Sequence, residues 1–409
     1  MNGPPGGKYD VVIVGAGIAG GAFAALLAPS GLRILLLDAT TRPPRMPPLA
    51  ATIHEVGLRV SALNPASVRL LAQAGAWQRL PTGSASPYEY MRVWEEDGTG
   101  RIAFDAAALG EPVLGHIVEN QRIVAALFAQ LDETKNVSVC CGETLERLEL
   151  PDGSVSSVRL WLASGACVDA DLVVGADGAR SLVRERCAIA APERDTGQRA
   201  IVATVTTAIA HERTARQCFL RSGPLALLPL TQPAGEGSCS IVWSADEAVA
   251  AELLALDDVA FAKRLGCASE HVLGEVVAVS RRLAFPLRPL HATSYVAPGV
   301  ALIGDAAHVI HPLAGQGINL GLADVRVLVE ELIGARARGL ALADGGVLAR
   351  YQRRRRGDNA LMLEAMEVLR RLYADRRPAV RLLRSLGVAA VDAAAPLKRL
   401  LMRRAAGLD

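Results

Sequence analysis

Three carboxylates in this chain, Asp38, Asp177 and Asp305, each stand at the end of a short apolar run. Asp305 is the most informative. The stretch Ala301 to Leu320 reads ALIGDAAHVIHPLAGQGINL, so an apolar strand expected over 300–303 ends in Gly304-Asp305. A Gly-rich turn through Gly315 and Gly317 follows, and a helix opens near Asn319. That order gathers a carboxylate, exposed backbone N–H groups and a helix N-terminus in one small volume. Such a volume suits a ligand carrying both ribityl hydroxyls and electron-poor ring atoms. Alone, the run is equally an ordinary strand–turn–helix corner.

Asp38 closes a second signature. Tyr9 to Gly20 reads YDVVIVGAGIAG: β-forming residues run straight into G-x-G-x-x-G, and an Ala-rich helix over 18–28 follows, closed by Pro29 and Gly31. Gly15 permits the tight turn, Gly17 lets the backbone approach a pyrophosphate, and Gly20 lets helix pack on strand. A second strand over 33–37 ends at Asp38, where a carboxylate takes the ribose hydroxyls of an adenine dinucleotide. A lone G-x-G-x-x-G is weak, but strand, helix, second strand and terminal acid in this order make a dinucleotide site. Asp177 ends a third apolar strand in DLVVGADGARS (171–181). Asp-Gly is a common turn. After a buried strand lying beside the first, Asp177 and Gly178 add a carboxylate and N–H groups near the same phosphates.

The composition bounds what surrounds these groups. The chain has 409 residues, is 51% hydrophobic and holds 38 glycines without a low-complexity tract, so two domains with substantial cores fit. No apolar run reaches the roughly 18 residues of a spanning helix. The opening MNGPPGGKYD lacks the basic start and apolar core of a secretory signal. The seven cysteines show no C-x-x-C pair, and the adjacent Cys140 and Cys141 read as strand residues. A cytoplasmic protein with reduced thiols is expected. His308 and His311 lack further ligands at metal spacing, so no metal is expected, and no G-x-S-x-G elbow is present.

The formal charge of +2 hides an asymmetry: residues 350–409 carry 15 Lys/Arg against 6 Asp/Glu, an excess of +9 against −7 for the rest. These arginines alternate with Leu, Val, Ala and Met at helical spacing. They read either as solvated faces of capping helices, the favoured reading since charge runs are usually solvated, or as a basic surface for a biosynthetic partner or anionic lipid at the inner membrane face. Nucleic acid is disfavoured, because the remainder is acidic and aromatics are only 4%.

The organisation is interleaved. We expect an α/β fold in which a Rossmann-like dinucleotide-binding domain takes residues 1–75, 111–190 and 293–345. A β-sheet substrate domain takes strands from 76–110 and the β-rich stretch 191–292, and a C-terminal helical region takes 346–409. Single elements expected include a strand over 88–104, a helix over 120–131, strands over 137–141, 155–162 and 172–174, and a helix over 249–265. An apolar sheet face near 225–230 and 285–287 is equally consistent with a pocket or a domain core. Tyr88, Met91 and Trp94 are expected to pack.

Taken together, GAGIAG (15–20), DLVVGADGARS and ALIGDAAH…GQGINLG resemble the single-component FAD-dependent aromatic hydroxylases, the para-hydroxybenzoate hydroxylase-like superfamily. GLRVSALNPAS (57–67), PYEYMRVW (87–94), HIVEN (116–120) and YQRRRRGDN (351–359) narrow the resemblance to the hydroxylases of ubiquinone biosynthesis, over nearly the whole chain.

The resemblance implies that Gly15, Gly17, Gly20 and Asp38 hold the adenylate half of FAD. It places Arg59 near pyrophosphate and flavin, and Asn120 at a further FAD contact. Asp177, with Gly178, would serve the pyrophosphate, a second role toward incoming NAD(P)H being open. Asp305 would take the ribityl chain, backbone groups of Gly317, Ile318 and Asn319 would meet the flavin ring, and Pro312 would lie beside its reactive face. Asp38 departs mildly from the usual Glu, which shortens the reach by one methylene. The implied activity is a monooxygenase: NAD(P)H, bound transiently because only one Rossmann signature is present, reduces FAD, and O₂ forms a flavin C4a-hydroperoxide that hydroxylates a prenylated phenol. No side-chain base is required. A soluble aromatic acid or natural product as substrate, and a non-catalytic flavoprotein scaffold, remain the alternatives.

Overall fold

The computed structural model describes residues 6–96, 98–151, 157–233, 235–310, 317–375 and 377–408. Its first sheet is built on the strand Gly7–Val14, whose Val11, Val12 and Ile13 are fully buried. Ile34–Asp38 and then Val137–Cys141 lie to one side, and Cys167–Gly175 and then Val300–Leu302 to the other. All these neighbours pair in parallel. The stretches Val11–Val14, Ile34–Leu37 and Leu172–Val174 are continuous apolar runs because covered parallel sheets have no wet face. Helix Ile18–Leu27 packs between Asn120–Asp132 and Gly317–Ala337. Parallel strands end at one edge, which is why Asp38, Asp177 and Asp305 come to the same rim. An antiparallel hairpin, Leu145–Glu149 and Val158–Leu162, extends the sheet on Cys167–Gly175; the strand expected from 155 begins outside the described residues.

The second sheet is mostly antiparallel. It runs in the order Val276–Val279, Gln198–Thr207, Ser238–Asp246, Gly223–Leu230, Thr214–Leu220, Tyr90–Glu95 and Arg101–Asp105. Where one strand was expected over 88–104, two form an antiparallel pair. The helix expected over 249–265 is also two, Glu247–Ala255 and Asp258–Ala268. Leu256 is extended, and the Asp257 carboxylate restarts the helix by accepting from the Ala260 N–H at 2.7 Å.

Strand alternation settles what the apolar stretch near 225–230 does. Leu225 and Leu227 face the core beneath those two helices, with Trp94, Cys218, Ile241, Trp243 and Phe261. Ala226, Leu228 and Leu230 face the other way, toward a three-stranded sheet of Val60–Leu63, Gly115–Glu119 and Ala85–Tyr88. Trp94 therefore packs in the domain core, while Met91 lies against the inter-sheet side. The small sheet draws one strand from each of three ranges that the sequence divides, 1–75, 76–110 and 111–190, so these ranges meet in it.

Helices Gly345–Ala374, Pro378–Ala393 and Ala395–Ala406 finish the chain. Buried Arg384 pairs with buried Glu95 and ties them to the second sheet. No helix among the described residues is long and apolar enough to cross a membrane.

Candidate active site

The loop after the first strand is built by close approach. Gly15 has φ +103°, and a Cβ there would lie 2.4 Å from the Ala176 carbonyl oxygen; a Cβ on Gly20 would lie 1.9 Å from the Gly15 carbonyl oxygen. Both positions are closed to any side chain, which brings the strand ends at 15 and 176 together. Gly17 differs: a Cβ there meets nothing within 4 Å. The space over Gly17 is open and flanked by backbone N–H groups at a helix start, the setting for a phosphate. Asp38 lies at its edge, accepting from Ala16 N–H with Oδ2 and from Thr40 N–H with Oδ1, each at 2.8 Å.

Asp177 stands across the loop. Its Oδ2 accepts from the N–H groups of Leu182 and Val183 at 2.7 and 3.2 Å, starting the short helix Leu182–Arg186. Its Oδ1 is buried with no partner in the protein. Burial raises this carboxyl above the ordinary carboxylate range, against the hydrogen bonds that pull it down. Gly178 follows at φ +80° with open space beside it.

Asp305 is exposed on the floor of the cleft, although the protein around it is dense enough for desolvation to raise its carboxyl. His308 and Arg59 oppose that rise and Asp324 adds to it. Arg59 is thus drawn to the same volume, its guanidinium 4.7 Å from the Phe285 ring centroid on the second sheet. The HIVEN segment holds it there: Glu119 Oε2 accepts from Gly57 N–H at 2.6 Å, Asn120 N–H donates to the Arg59 carbonyl at 2.9 Å, and Asn120 Oδ1 accepts from Ser61 Oγ at 2.7 Å. Buried Arg122, paired with Glu119, donates to the carbonyls of Pro47 and Pro48 at 2.8 and 2.7 Å. That gives the proline-rich stretch over 40–49 an anchor its sequence did not reveal.

Asn319 brings in the last helix. Its Nδ2 donates to the Ala62 carbonyl at 2.9 Å, and its Oδ1 accepts from Asn64 N–H at 3.1 Å and Ser67 Oγ at 2.7 Å. The side chain fixes the start of Gly317–Ala337 beside the Arg59 segment. Pro312 and His311 lie outside the described residues. His308 is buried against Asp324. No group of metal-binding side chains occurs among the described residues.

An open phosphate cradle, a carboxylate at its ribose edge, a half-satisfied acid beside it and an exposed Asp305 farther along one rim fit an extended dinucleotide. The FAD binding domain family matches residues 8–365. The chain belongs to this family. Ubiquinone hydroxylase UbiL of Rhodospirillum rubrum is 38% identical over 402 residues, covering 97% of this chain and 89% of that protein. The 3-demethoxyubiquinol 3-hydroxylase of Escherichia coli K12 is 35% identical over 399 residues, 98% of both. Among solved structures, Pseudomonas aeruginosa PqsL in complex with 2-aminobenzoylacetate superposes with a TM-score of 0.76 at 25% identity, covering 94% of this chain and all of that one. The protein is a flavin-dependent aromatic-ring monooxygenase of the ubiquinone-hydroxylase branch, and its cofactor is FAD.

Removing the Asp305 carboxylate tests its expected role on the ribityl chain. Asp305→Ala should weaken FAD binding by about 1.5–3 kcal/mol, roughly 10- to 150-fold in Kd, as for a lost hydrogen bond to a charged group. The FAD-free protein should stay as stable as before, since a desolvated carboxylate has been deleted. Fluorescence titration with FAD, alongside thermal unfolding without it, checks both; unchanged affinity would remove Asp305 from the ribityl site.

Proposed function

We propose that this enzyme hydroxylates the aromatic ring of a polyprenylated phenol in ubiquinone biosynthesis, using NAD(P)H and O₂. The observation that carries the reading is similarity of 35–38% over nearly the full length of relatives named for ubiquinone hydroxylation. When bound, FAD would supply the redox chemistry that links NAD(P)H to O₂. The chain's own part is to bind, orient and keep water out.

In this reading the adenylate half lies on Gly15, Gly17, Gly20 and Asp38, the pyrophosphate near Asp177, Gly178 and Arg59, and Asn120 adds a further contact. The ribityl chain lies on Asp305, the ring at Gly317, Ile318 and Asn319, and Pro312 beside its reactive face. The phenol would then lie against the inward face of the second sheet, where Ala226, Leu228, Leu230 and Met91 suit an apolar ring and tail. Gln217, cross-strand to Ala226, and Thr204, in register through Ser240 with Leu228, share that face. Their Oε1 and Oγ1 are buried without partners, leaving hydrogen-bonding capacity for ring oxygens.

The experiment is a quinone profile by mass spectrometry after expression in bacterial strains each blocked at one ring hydroxylation. Restored ubiquinone in one strain identifies substrate class and position. A yellow, soluble protein that restores none, but oxidises NAD(P)H when given a soluble aromatic acid, would replace this reading.

The same substrate class bears on the C-terminal helices. Leu383, Leu386, Leu397, Leu400 and Leu401 are exposed, up to 69% at Leu383, beside exposed Arg399 and Arg404. We read these leucines and arginines of the last two helices as a basic amphipathic surface resting on anionic lipid. Leu386→Ser/Leu400→Ser should lose about 3 kcal/mol of vesicle affinity, taking ~1.5 kcal/mol per buried leucine. Co-sedimentation with vesicles of one-third anionic lipid measures it; equal sedimentation of both proteins would reject the contact.

A further inference from the structure

The YQRRRRGDN segment carries part of the resemblance, yet none of its residues has a role in the site described so far. Its pattern on the helix is informative. Tyr351, Arg355 and Asn359, spaced by four, are buried, while Arg353, Arg354 and Arg356 are exposed. The buried stripe faces the back of the Asp305 turn.

Asp324, fully buried about two turns into the helix Gly317–Ala337, is the centre of this arrangement. Its Oδ2 accepts from Gly304 N–H at 3.1 Å and pairs with His308 Nε2 at 2.5 Å. One carboxylate oxygen thus holds both ends of the five-residue segment 304–308 that displays Asp305. Its Oδ1 accepts from Arg355 Nε at 2.8 Å and Asn359 Nδ2 at 3.0 Å. Arg355 also donates to Asn359 Oδ1 at 2.6 Å, and Asn359 to the Tyr295 hydroxyl at 3.2 Å. Tyr295 in turn stacks on His308, ring centroids 5.9 Å apart, and its hydroxyl lies 3.0 Å from His291 Nε2.

We infer that Arg355 and Asn359 are positioning residues for FAD: through Asp324 they fix the Gly304–His308 turn and thereby the reach of Asp305 into the cleft. Neither touches the cleft. A guanidinium suits the task because its planar fork reaches the Asp324 and Asn359 oxygens together, which a lysine ammonium cannot do in that geometry. The inference rests on the FAD-site reading of Asp305, and the test separates the two.

The test compares Arg355→Lys and Asn359→Ala with Tyr351→Phe. Tyr351 lies on the same buried stripe but donates to the Leu302 carbonyl at 2.6 Å, bonding the strand and not the turn. FAD dissociation constants are measured by fluorescence on protein stripped of flavin, together with thermal unfolding of that stripped form and the visible spectrum of the reloaded one. Arg355→Lys and Asn359→Ala should raise the Kd for FAD by roughly tenfold or more and perturb the bound-flavin spectrum. Tyr351→Phe should lower the unfolding temperature and leave the Kd alone. If all three lower stability and none changes the Kd, or if Tyr351→Phe raises it as much as the other two, the cluster is packing and the inference is overturned. If Asp305→Ala itself leaves the Kd unchanged, the site assignment fails; if it weakens FAD and Arg355→Lys does not, only the positioning role fails.

Discussion

Gly17→Val is expected to yield a folded, colourless protein. Gly17 caps the first helix with φ −69° and ψ −168°, a conformation open to valine, and a Cβ there has no atom within 4 Å. The folded chain therefore accepts the side chain at about 1 kcal/mol, the difference between a good and a poor cap. The space it fills is the one a pyrophosphate must enter to meet the helix N-terminus. FAD affinity should fall by at least ~3 kcal/mol, over 100-fold in Kd, and the purified protein should lack flavin absorbance. Gly20→Ala is the contrasting variant. Its Cβ would lie 1.9 Å from the Gly15 carbonyl oxygen, so helix and strand must separate and soluble yield should drop. A yellow Gly17→Val protein would dislodge the phosphate from this loop. A Gly20→Ala protein as stable as the parent would show that the loop relaxes more readily than its geometry implies.

That contrast shows why one half of the site was legible in the sequence. The demands at Gly15, Gly17, Gly20 and Asp38 are local: strand, turn, helix and next strand follow one another, and each glycine answers to a neighbour within the unit or on the adjoining strand. The three acids at strand ends were legible because parallel strands share one C-terminal rim. The Asp324 cluster was not. Its members lie at 291, 295, 308, 324, 355 and 359, on two short strands, a loop and two helices, and only packing joins them. One sign was present: Tyr351, Arg355 and Asn359 share a helix face by their spacing, and polar residues directed inward must be partnered. Reading the run as uniformly basic concealed that Arg355 points in while its neighbours point out. The two-way division of Leu225 to Leu230 was hidden differently. With both sheet faces covered, hydrophobicity loses the alternation that would have separated core from pocket.

Asp324→Ala is expected to destabilise the flavin-free protein by about 3–5 kcal/mol, the range for breaking a buried pair. The carboxylate takes four hydrogen bonds and has no solvent exposure, so its removal leaves the Arg355 guanidinium and the Gly304 N–H buried without their acceptor. Asp324→Asn does not repair this. Whichever way the amide is turned, its NH₂ faces donors: Gly304 N–H on one side, or Arg355 and Asn359 on the other. The acid dependence follows from the charge balance. Desolvation pushes the Asp324 carboxyl up, but His308 and Arg355 outweigh it, and the group titrates below the ordinary carboxylate range. A depressed carboxyl contributes stability that is fully present above its unfolded value of about 4 and is lost as pH falls through the lower folded value. Denaturant unfolding at pH 7 should therefore show the full gap between wild type and Asp324→Ala, and the gap should close progressively below about pH 4. A gap that stays constant to acid pH would mean that the loss arises from the cavity left behind and not from the carboxylate's charge.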